Sequence, residues 1–198
     1  MCKIKQGKLL YHLTALDNIP SIIQSRLLPR ACLDKGAYTD IADPSIIDIR
    51  EQMWLSNYIP FHFHIHTAFD TAVKKSNPNR KFVYLCLQRA YAENNDFPIL
   101  PNHPLSFDGE QLYSYQEGFK RIDWNVMEMT QDDADKANID RNYHKQVRMA
   151  ECLSPSPIYV SSFIQIGVPD DDIGAYIQDL FEQFEVWPRP YIHVQNWF

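Results

Sequence analysis

Glycine is scarce in this sequence, and no glycine-rich phosphate-binding loop occurs. The 198 residues include six glycines, and neither GxGxxG nor GxxxxGK[ST] is present. Such loops let backbone N–H groups approach a phosphate closely, so their absence excludes a Rossmann or P-loop nucleotide cradle. A nucleotide that binds this chain must therefore occupy a different kind of cleft.

Long hydrophobic runs and paired cysteines are also missing. No stretch approaches the roughly 18 apolar residues that a membrane span needs, and the lysine-containing N-terminus has no apolar core of a signal peptide. The cysteines are Cys2, Cys32, Cys86 and Cys152, none in a CxxC spacing. Scattered thiols indicate a reducing compartment, so we expect a cytoplasmic protein without a membrane partner.

The chain has no excess of basic residues. Its net charge is −6 and its pI is about 5.6. Proteins that hold duplex DNA by its backbone need a basic excess, because phosphate neutralisation supplies most of that affinity. Any nucleic-acid role must therefore depend on a local basic patch or on base stacking.

Apolar residues are abundant enough for one well-packed domain. Hydrophobic residues make up 45% and aromatic residues 13% of the chain, so a core can form without disulfides or a metal. Strand-like patterns at residues 9–15 and 60–66 are combined with helical spacing at residues 171–184. We predict a single α+β domain over residues 1–198 with a mostly antiparallel sheet.

His12 and Thr14 form the first candidate site. On a strand over residues 9–15 they share one face, because side chains alternate between the two faces. A histidine and a threonine at a strand end can bond ribose hydroxyls or an amide. The pair equally fits a buried histidine that bonds a backbone carbonyl, and both interpretations stay open.

His62, His64 and His66 alternate along the second predicted strand and form a second candidate site. Imidazoles at this spacing share one face and can bind a transition metal. A further ligand would be needed, and Asp70 is the nearest carboxylate in the sequence. A polar sheet face is the alternative interpretation, and we expect no metal.

Glu151 is the third candidate, because it lies in the otherwise apolar segment RMAECL. A carboxylate there is unfavourable unless it is paired or functional. One carboxylate can bond a ribose hydroxyl while positive charge develops on the neighbouring anomeric carbon. A paired structural glutamate is the alternative.

Six motifs in order resemble a known family. LYHLTALDNIPSII at residues 10–23 resembles the opening motif of the DarT family of bacterial DNA-base ADP-ribosyltransferase toxins. SIIDIR, NYIPFHF, RIDW, RMAECL and the terminal pair WF are similar to its later landmarks. The resemblance covers nearly the whole chain.

The resemblance implies a compact ADP-ribosyltransferase fold, a split antiparallel sheet with flanking helices. NAD would bind in the cleft of the sheet as a substrate, its nicotinamide would be released, and ADP-ribose would pass to a base of single-stranded DNA. Glu151 would be the catalytic carboxylate. Arg50 would contact the NAD and assist proton transfer, in keeping with the affinity of an arginine fork for pyrophosphate.

The same resemblance implies the remaining cofactor-binding residues and a partner. The NAD-binding residues would be His12, Leu13, Thr14, Asn18, Ser21 and Arg50. A toxin of this family implies a cognate antitoxin protein as partner. The absence of a basic excess leaves RNA or protein acceptors open, as well as a binding module that holds NAD without turnover.

Three positions depart from the family pattern. Members often carry two adjacent arginines where this chain has Ile49 and Arg50, and the stretch from Arg50 to Tyr58 is short. After PFHF, the usual small and basic residues are replaced by residues 64–67, HIHT. If that region meets the acceptor base, thymidine, guanosine or an RNA base could be the acceptor.

A loop with aromatic and basic residues is the predicted acceptor site. The segment QLYSYQEGFKR offers aromatic rings beside basic side chains, and base stacking contributes roughly 1–3 kcal/mol per base. The nucleic-acid-binding residues that we predict are Tyr113, Tyr115, Lys120, Arg121 and His64. Burial of the aromatics in the core is the alternative.

Overall fold

A computed structural model of the chain describes residues 3–34, 38, 44–103 and 112–195, with the backbone alone at residues 44–46. The strands in these ranges form one sheet. They are β1 (Leu9–Ala15), β2 (Ile59–His62), β3 (Phe82–Gln88), β4 (Ile99–Leu100), β5 (Glu151–Ser154), β6 (Gln165–Val168) and β7 (Tyr191–Val194). The terminal pair Trp197 and Phe198, one of the family landmarks, lies outside the described residues.

Helices flank the sheet, mostly as short segments. They are α1 (Lys3–Gln6), α2 (Ile19–Gln24), α3 (Pro44–Gln52), α4 (Ala68–Ser76), α5 (Arg89–Asn94), α6 (Tyr115–Arg121), α7 (Trp124–Glu128), α8 (Gln131–Lys136), α9 (Arg141–Val147) and α10 (Asp171–Gln183). Local sequence explains several helix starts. Pro20 lies in the first turn of α2, and the Asp170 carboxylate caps α10 by accepting from the Ile173 N–H at 2.9 Å.

The strand order across the sheet is β4-β5-β2-β1-β3-β6-β7. All neighbours are antiparallel except β6 and β7, which are parallel. The α+β fold with a mostly antiparallel sheet that the sequence predicted is confirmed, and the β6–β7 pair is its parallel exception. Parallel neighbours need a crossover connection, and α10 supplies it between β6 and β7.

The sheet opens between β1 and β2. Only Tyr11 and His62 are paired between these strands, whereas the pairing of β1 with β3 runs along the whole of β1. Beyond Tyr11 the contact with β2 is made by a side chain, since His12 Nδ1 lies 2.8 Å from the Pro60 carbonyl oxygen. This divergence leaves room for a cleft between the end of β1 and β2.

Hydrophobic clusters cover both faces of the sheet. The larger one combines side chains of β1, β2, β3 and α10, and Leu10, Phe61, Leu85 and Phe181 are almost fully buried in it. The other contains alternate residues of β1 and β3 with Val73 of α4. Among the described residues, no helix is long and apolar enough to cross a membrane.

The strand predicted over residues 60–66 ends early, at His62. His66 has a left-handed backbone with φ of 59°, which is incompatible with an extended strand. Directly after it, Thr67 and Asp70 form a reciprocal capping box that begins α4. The three alternating histidines therefore do not form one strand face.

Gly118 allows α6 to pack directly on β4, and Gly118→Ala tests this contact. An added Cβ would lie 2.5 Å from the Ile99 Cβ, an atom that cannot rotate away. Overpacking of a core costs about 1–3 kcal/mol, whereas alanine favours a helix interior by about 1 kcal/mol over glycine. We expect the variant to lose about 1–2 kcal/mol of unfolding free energy in urea titrations.

Gly174→Ala is the matched control for this substitution. It also lies inside a helix, α10, but its added Cβ would meet the mobile Ile192 Cγ2 at 3.1 Å. We expect a smaller loss of stability than at Gly118. Equal stability of Gly118→Ala and wild type would contradict the close packing of α6 on β4.

Candidate active site

A cavity of about 200 Å³ occupies the place where β1 and β2 diverge. Its lining includes all the residues that the sequence predicted for NAD and catalysis. These are His12, Leu13, Thr14, Asn18, Ser21, Arg50 and Glu151. Residues from β1, α2, α3 and β5, separated by as many as 139 positions (12 to 151) along the chain, therefore meet in one concave site.

The end of β1 and the start of α2 form one wall of the cavity. A short 3-10 turn over Leu16–Asn18 connects them. The Asn18 side-chain amide donates a hydrogen bond to Thr14 Oγ1 at 3.2 Å and so links the turn back to the strand. Thr14 is buried and Ser21 is exposed, so this wall runs from the interior to the cavity mouth.

A buried ion pair between Arg50 of α3 and Glu151 of β5 lies at the base of the cavity. Arg50 Nη1 donates to both carboxylate oxygens at 2.8 Å. The side chains are 11% and 6% exposed, respectively. Arg50 Nη2 is buried and has no hydrogen-bond partner among the described residues. This N–H group therefore has bonding capacity left for a ligand in the cavity.

The ion pair keeps Glu151 ionised. Burial, the largest single effect, raises the pKa of this carboxyl, but the positive charge of Arg50, the neighbouring imidazoles and the hydrogen bonds from Arg50 together outweigh it, and the net pKa is lowered. Of the two imidazoles, His62 lowers this pKa more than His103 does. The site therefore presents an anionic carboxylate in a largely apolar wall, where its field on a developing positive charge is strong.

His12 is held neutral and in one tautomer. Burial lowers the pKa of its imidazole to about 4. The Pro60 carbonyl can only accept a hydrogen bond, so Nδ1 carries the proton and Nε2 carries the lone pair. A neutral His12 can thus accept a hydrogen bond from a hydroxyl group in the cavity.

The opposite wall contains residues to which the sequence gave no cofactor role. His62, Phe69, His103 and Met149 line the cavity beside Glu151. Burial lowers the pKa of His103 to about 4. His62 was predicted only as part of a metal-binding set, and His103 had no signal beyond its place in a proline-rich loop.

Two arginines line the mouth of the cavity, and sequence analysis missed them both. The Arg30 Nη1 donates to the Tyr38 hydroxyl at 3.1 Å. The Arg26 guanidinium lies 5.2 Å from the centre of the Tyr159 ring. Both follow α2, which ends at Gln24. A cationic rim of this kind suits phosphate groups.

The structure corrects two of the predicted nucleic-acid-binding residues. Tyr115 is 7% exposed and stacks on Phe119 inside the core, so its ring cannot accept a base. His64 is buried, with its ring nitrogens 2.7 Å from the Ile65 oxygen and 3.0 Å from the Arg148 oxygen. Both side chains have structural contacts in place of the binding role that we predicted.

The other three residues of that group stay predictions. Tyr113 is half-buried beneath the Arg121 guanidinium, which lies 4.3 Å from its ring centre. Arg121 also pairs with Glu117 at 3.0 Å, and Lys120 is exposed. None of the three is among the described residues that line the cavity.

A metal site on the alternating histidines does not form in the described parts of the chain. No three His, Cys, Asp or Glu side chains there are arranged to hold an ion. The His62 Nδ1 lies 3.2 Å from the Ala150 carbonyl oxygen, and both nitrogens of His64 face carbonyls. These rings are bonded to backbone oxygens and do not converge on a common point.

Comparison with known proteins links this site to one family. A family model described as ssDNA thymidine ADP-ribosyltransferase, DarT, matches residues 11–198. No curated protein matches the sequence.

Solved structures share the fold at low sequence identity. Thermus sp. 2.9 DarT in complex with ADP-ribosylated ssDNA superposes with a TM-score of 0.79 and 17% identity, over 98% of this chain and 97% of that one. The same protein in complex with NAD+ superposes with a TM-score of 0.75 and 15% identity, over 96% of this chain and 97% of that one. Thermosipho africanus DarTG in complex with ADP-ribose superposes with a TM-score of 0.69 and 18% identity, over 96% of this chain and 50% of that one.

Arg50→Met tests the buried ion pair. Removal of one partner leaves the Glu151 carboxylate buried without a counter-charge, and such a loss costs about 3–5 kcal/mol. We expect urea titrations at neutral pH to show a loss of this size. Arg121→Met removes an exposed ion pair as a control and should cost less than about 1 kcal/mol.

The loss caused by Arg50→Met should shrink in acid. The folded pKa of Glu151 lies below its ordinary value of 4.5. The charged form of Glu151 therefore contributes fully to stability at pH values above 4.5. This contribution is lost as the pH falls through the folded pKa. A difference between variant and wild type that stays constant from neutral pH into this range would contradict a buried charged pair.

Proposed function

The chain belongs to the DarT family of single-stranded DNA thymidine ADP-ribosyltransferases, and we propose that Glu151 and Arg50 are the groups with which it transfers ADP-ribose from NAD to a DNA base. As a member of this family it is an NAD-dependent ADP-ribosyltransferase, and NAD is its substrate. The observation that carries the residue assignment is the buried Arg50–Glu151 pair, which lies in the cavity lined by His12 to Thr14.

Glu151 supplies the electrostatic part of catalysis. Its ionised carboxylate accepts a hydrogen bond from a hydroxyl of the nicotinamide ribose. As the bond to nicotinamide breaks, positive charge grows on the anomeric carbon, and the nearby carboxylate stabilises it in a wall of low polarity. The depressed pKa of Glu151 keeps this charge in place at neutral pH.

Arg50 orients the carboxylate and bonds the ligand. One end of its guanidinium, Nη1, is committed to Glu151. The other, Nη2, has no partner among the described residues and supplies N–H groups to NAD. Arginine suits this double role because its planar fork presents donors in fixed directions.

The wall formed by β1 and α2 holds the nicotinamide nucleotide. His12 accepts a hydroxyl hydrogen bond at Nε2, since its Nδ1–H is donated to Pro60. Leu13 and Thr14 follow it into the interior, with Asn18 and Ser21 on the adjoining turn and helix. Arg26 and Arg30 at the mouth attract the pyrophosphate.

Thymidine is the acceptor that the family description indicates. Guanosine in DNA is the second candidate acceptor, because the HIHT segment after PFHF departs from the usual family pattern. Lys120, Arg121 and Tyr113 are proposed to contact the strand outside the cavity. Transfer to RNA or protein remains an outcome of the test below.

The chain is further proposed to be the toxin of a toxin–antitoxin pair that acts in the cytoplasm. Support comes from the family and from the likeness to Thermosipho africanus DarTG, of which this chain matches half. Cys32, Cys86 and Cys152 are free thiols, as expected in a reducing compartment. A cognate antitoxin would be a separate partner of this chain.

Labelled NAD and separate acceptor pools test the proposed function. Wild-type protein should label single-stranded DNA, and among homopolymers it should label oligo-dT in preference to oligo-dG. Label in RNA, in protein or in oligo-dG would assign a different acceptor. NAD binding without label in any pool would identify a binding module.

Glu151→Gln tests the catalytic assignment in the same assay. It keeps the shape of the side chain but removes the charge, and loss of such stabilisation lowers turnover by about 100–1,000-fold. We expect transfer and NAD hydrolysis to fall by that factor while NAD binding, measured by calorimetry, is kept. Glu182→Gln, on an exposed residue of α10, is the control, and equal activity of the two variants would refute the assignment.

Arg26→Gln and Arg30→Gln test the cationic mouth of the cavity. A hydrogen bond to a charged group contributes about 1.5–3 kcal/mol, so we expect KM for NAD to rise by about tenfold or more, with kcat little changed. Arg141→Gln removes an exposed arginine that pairs with Asp135 and serves as the control. A fall in kcat at unchanged KM would contradict a binding role.

A further inference from the structure

His62 lies directly opposite Glu151 in the sheet. The register of β2 and β5 pairs these two residues. Cross-strand partners share a face of the sheet, with Cβ atoms about 4.5–5.5 Å apart. Both side chains line the cavity, so His62 borders the same space as the catalytic carboxylate.

The backbone fixes which nitrogen of His62 can act on a ligand. Nδ1 lies 3.2 Å from the carbonyl oxygen of Ala150, the residue before Glu151. A carbonyl oxygen only accepts, so Nδ1 carries the proton of the neutral ring and Nε2 carries its lone pair. The described residues give Nε2 no hydrogen-bond partner.

Titratable and charged groups surround this ring on every side. They are His12 on β1, His64 after β2, His103 after β4, Glu151 on β5 and Arg50 of α3, which is bonded to Glu151. From α4, Phe69 packs its ring 6.3 Å from the imidazole centre. Glu151 is the one anion in this group, and it is the cross-strand partner of His62.

Transfer to a base nitrogen that carries a hydrogen releases a proton. Thymine has one such ring nitrogen, N3, and a neutral amide N–H is a poor nucleophile. Arg50, which the resemblance implies assists proton transfer, can do so by stabilising charge, but its guanidinium has no acceptor lone pair with which to take this proton. Glu151 already accepts from Arg50 and, in the proposed function, from the ribose hydroxyl.

We propose that His62 is the general base of the transfer step and takes the N–H proton of the acceptor base at Nε2. This inference rests on the proposed function. As the bond from thymine N3 to the anomeric carbon forms, the bond to nicotinamide breaks and nicotinamide leaves as a neutral molecule. The N3 proton passes to Nε2 of His62, and the imidazolium then releases it to water.

The other imidazoles that line the cavity fit this role less well. Burial lowers the pKa of both His12 and His103 to about 4, which makes each a weak base at neutral pH. His12 also belongs to the wall that bonds the nicotinamide nucleotide. His62, in contrast, is the cross-strand partner of Glu151, and both line the cavity.

His62→Asn separates the base from its structural contact. The asparagine Nδ2 can keep the hydrogen bond to the Ala150 oxygen, but no basic nitrogen remains. Removal of a general base lowers rates by about 100–10,000-fold. We expect transfer to oligo-dT to fall by at least about 100-fold, whereas NAD hydrolysis without DNA falls far less, because water can pass its proton to bulk solvent.

Added imidazole provides a readout that a structural role would not move. In His62→Ala, free imidazole should restore part of the transfer activity in proportion to its unprotonated concentration, with NAD hydrolysis unaffected. His193→Asn, on β7 at the sheet edge, is the matched control and should behave as wild type. Thermal unfolding of each variant shows whether the fold is intact.

Three results would overturn the inference. The first is transfer by His62→Asn at the wild-type rate. The second is an equal loss of transfer and of NAD hydrolysis in the His62 variants, with no rescue of His62→Ala by imidazole. The third is rescue by imidazole of His103→Ala but not of His62→Ala. The first two would make His62 dispensable or merely a support for Glu151. Failure of the proposed function is distinct, since wild type itself would then not label oligo-dT, and the inference would fall with it.

Discussion

The ion pair between Arg50 and Glu151 is the interaction on which the site depends. Burial of a lone carboxylate on a strand face would favour its neutral form. Arg50, with smaller effects of His62 and His103, reverses this preference and lowers the pKa of Glu151. The pair also connects α3 to β5, so one contact both positions a helix and maintains the anion to which we assign the catalytic role.

The divergence of β1 from β2 opens the cavity that this ion pair lines. Because only Tyr11 and His62 pair between the strands, the sheet stays continuous at one end and opens at the other. The polar side chains at the end of β1 then meet those of β5 across the opening. The proposed site residues His12, Thr14 and Glu151 are thus held by paired strands, which is a more rigid support than loops.

Sequence patterns predicted the parts of the fold that local chemistry determines. The strand at residues 9–15, the helix after it and the capped helix α10 all follow from periodicity and end signals. The family resemblance selected Glu151, Arg50 and the residues of the first wall, which line one cavity. Their individual roles stay predictions, and Arg50 rather than Ile49 makes the contact with Glu151.

The sequence predictions failed where tertiary packing, rather than local pattern, determines the position of a side chain or the end of a strand. Tyr115 lies in a polar segment, yet α6 turns its ring into the core beside Phe119. Alternation suggested that β2 runs on to His66, but the capping box of α4 ends it. His103, Arg26 and Arg30 reach the cavity through long-range folding, for which no short pattern exists.

The distribution of charge affects how the enzyme searches a genome. Among the described residues that line the cavity, Arg26, Arg30 and Arg50 face a single carboxylate, whereas the whole chain carries −6. Phosphate backbone is therefore attracted at the mouth and repelled by the remaining surface. A surface of this sign disfavours sliding along a duplex, because sliding depends on non-specific phosphate contacts.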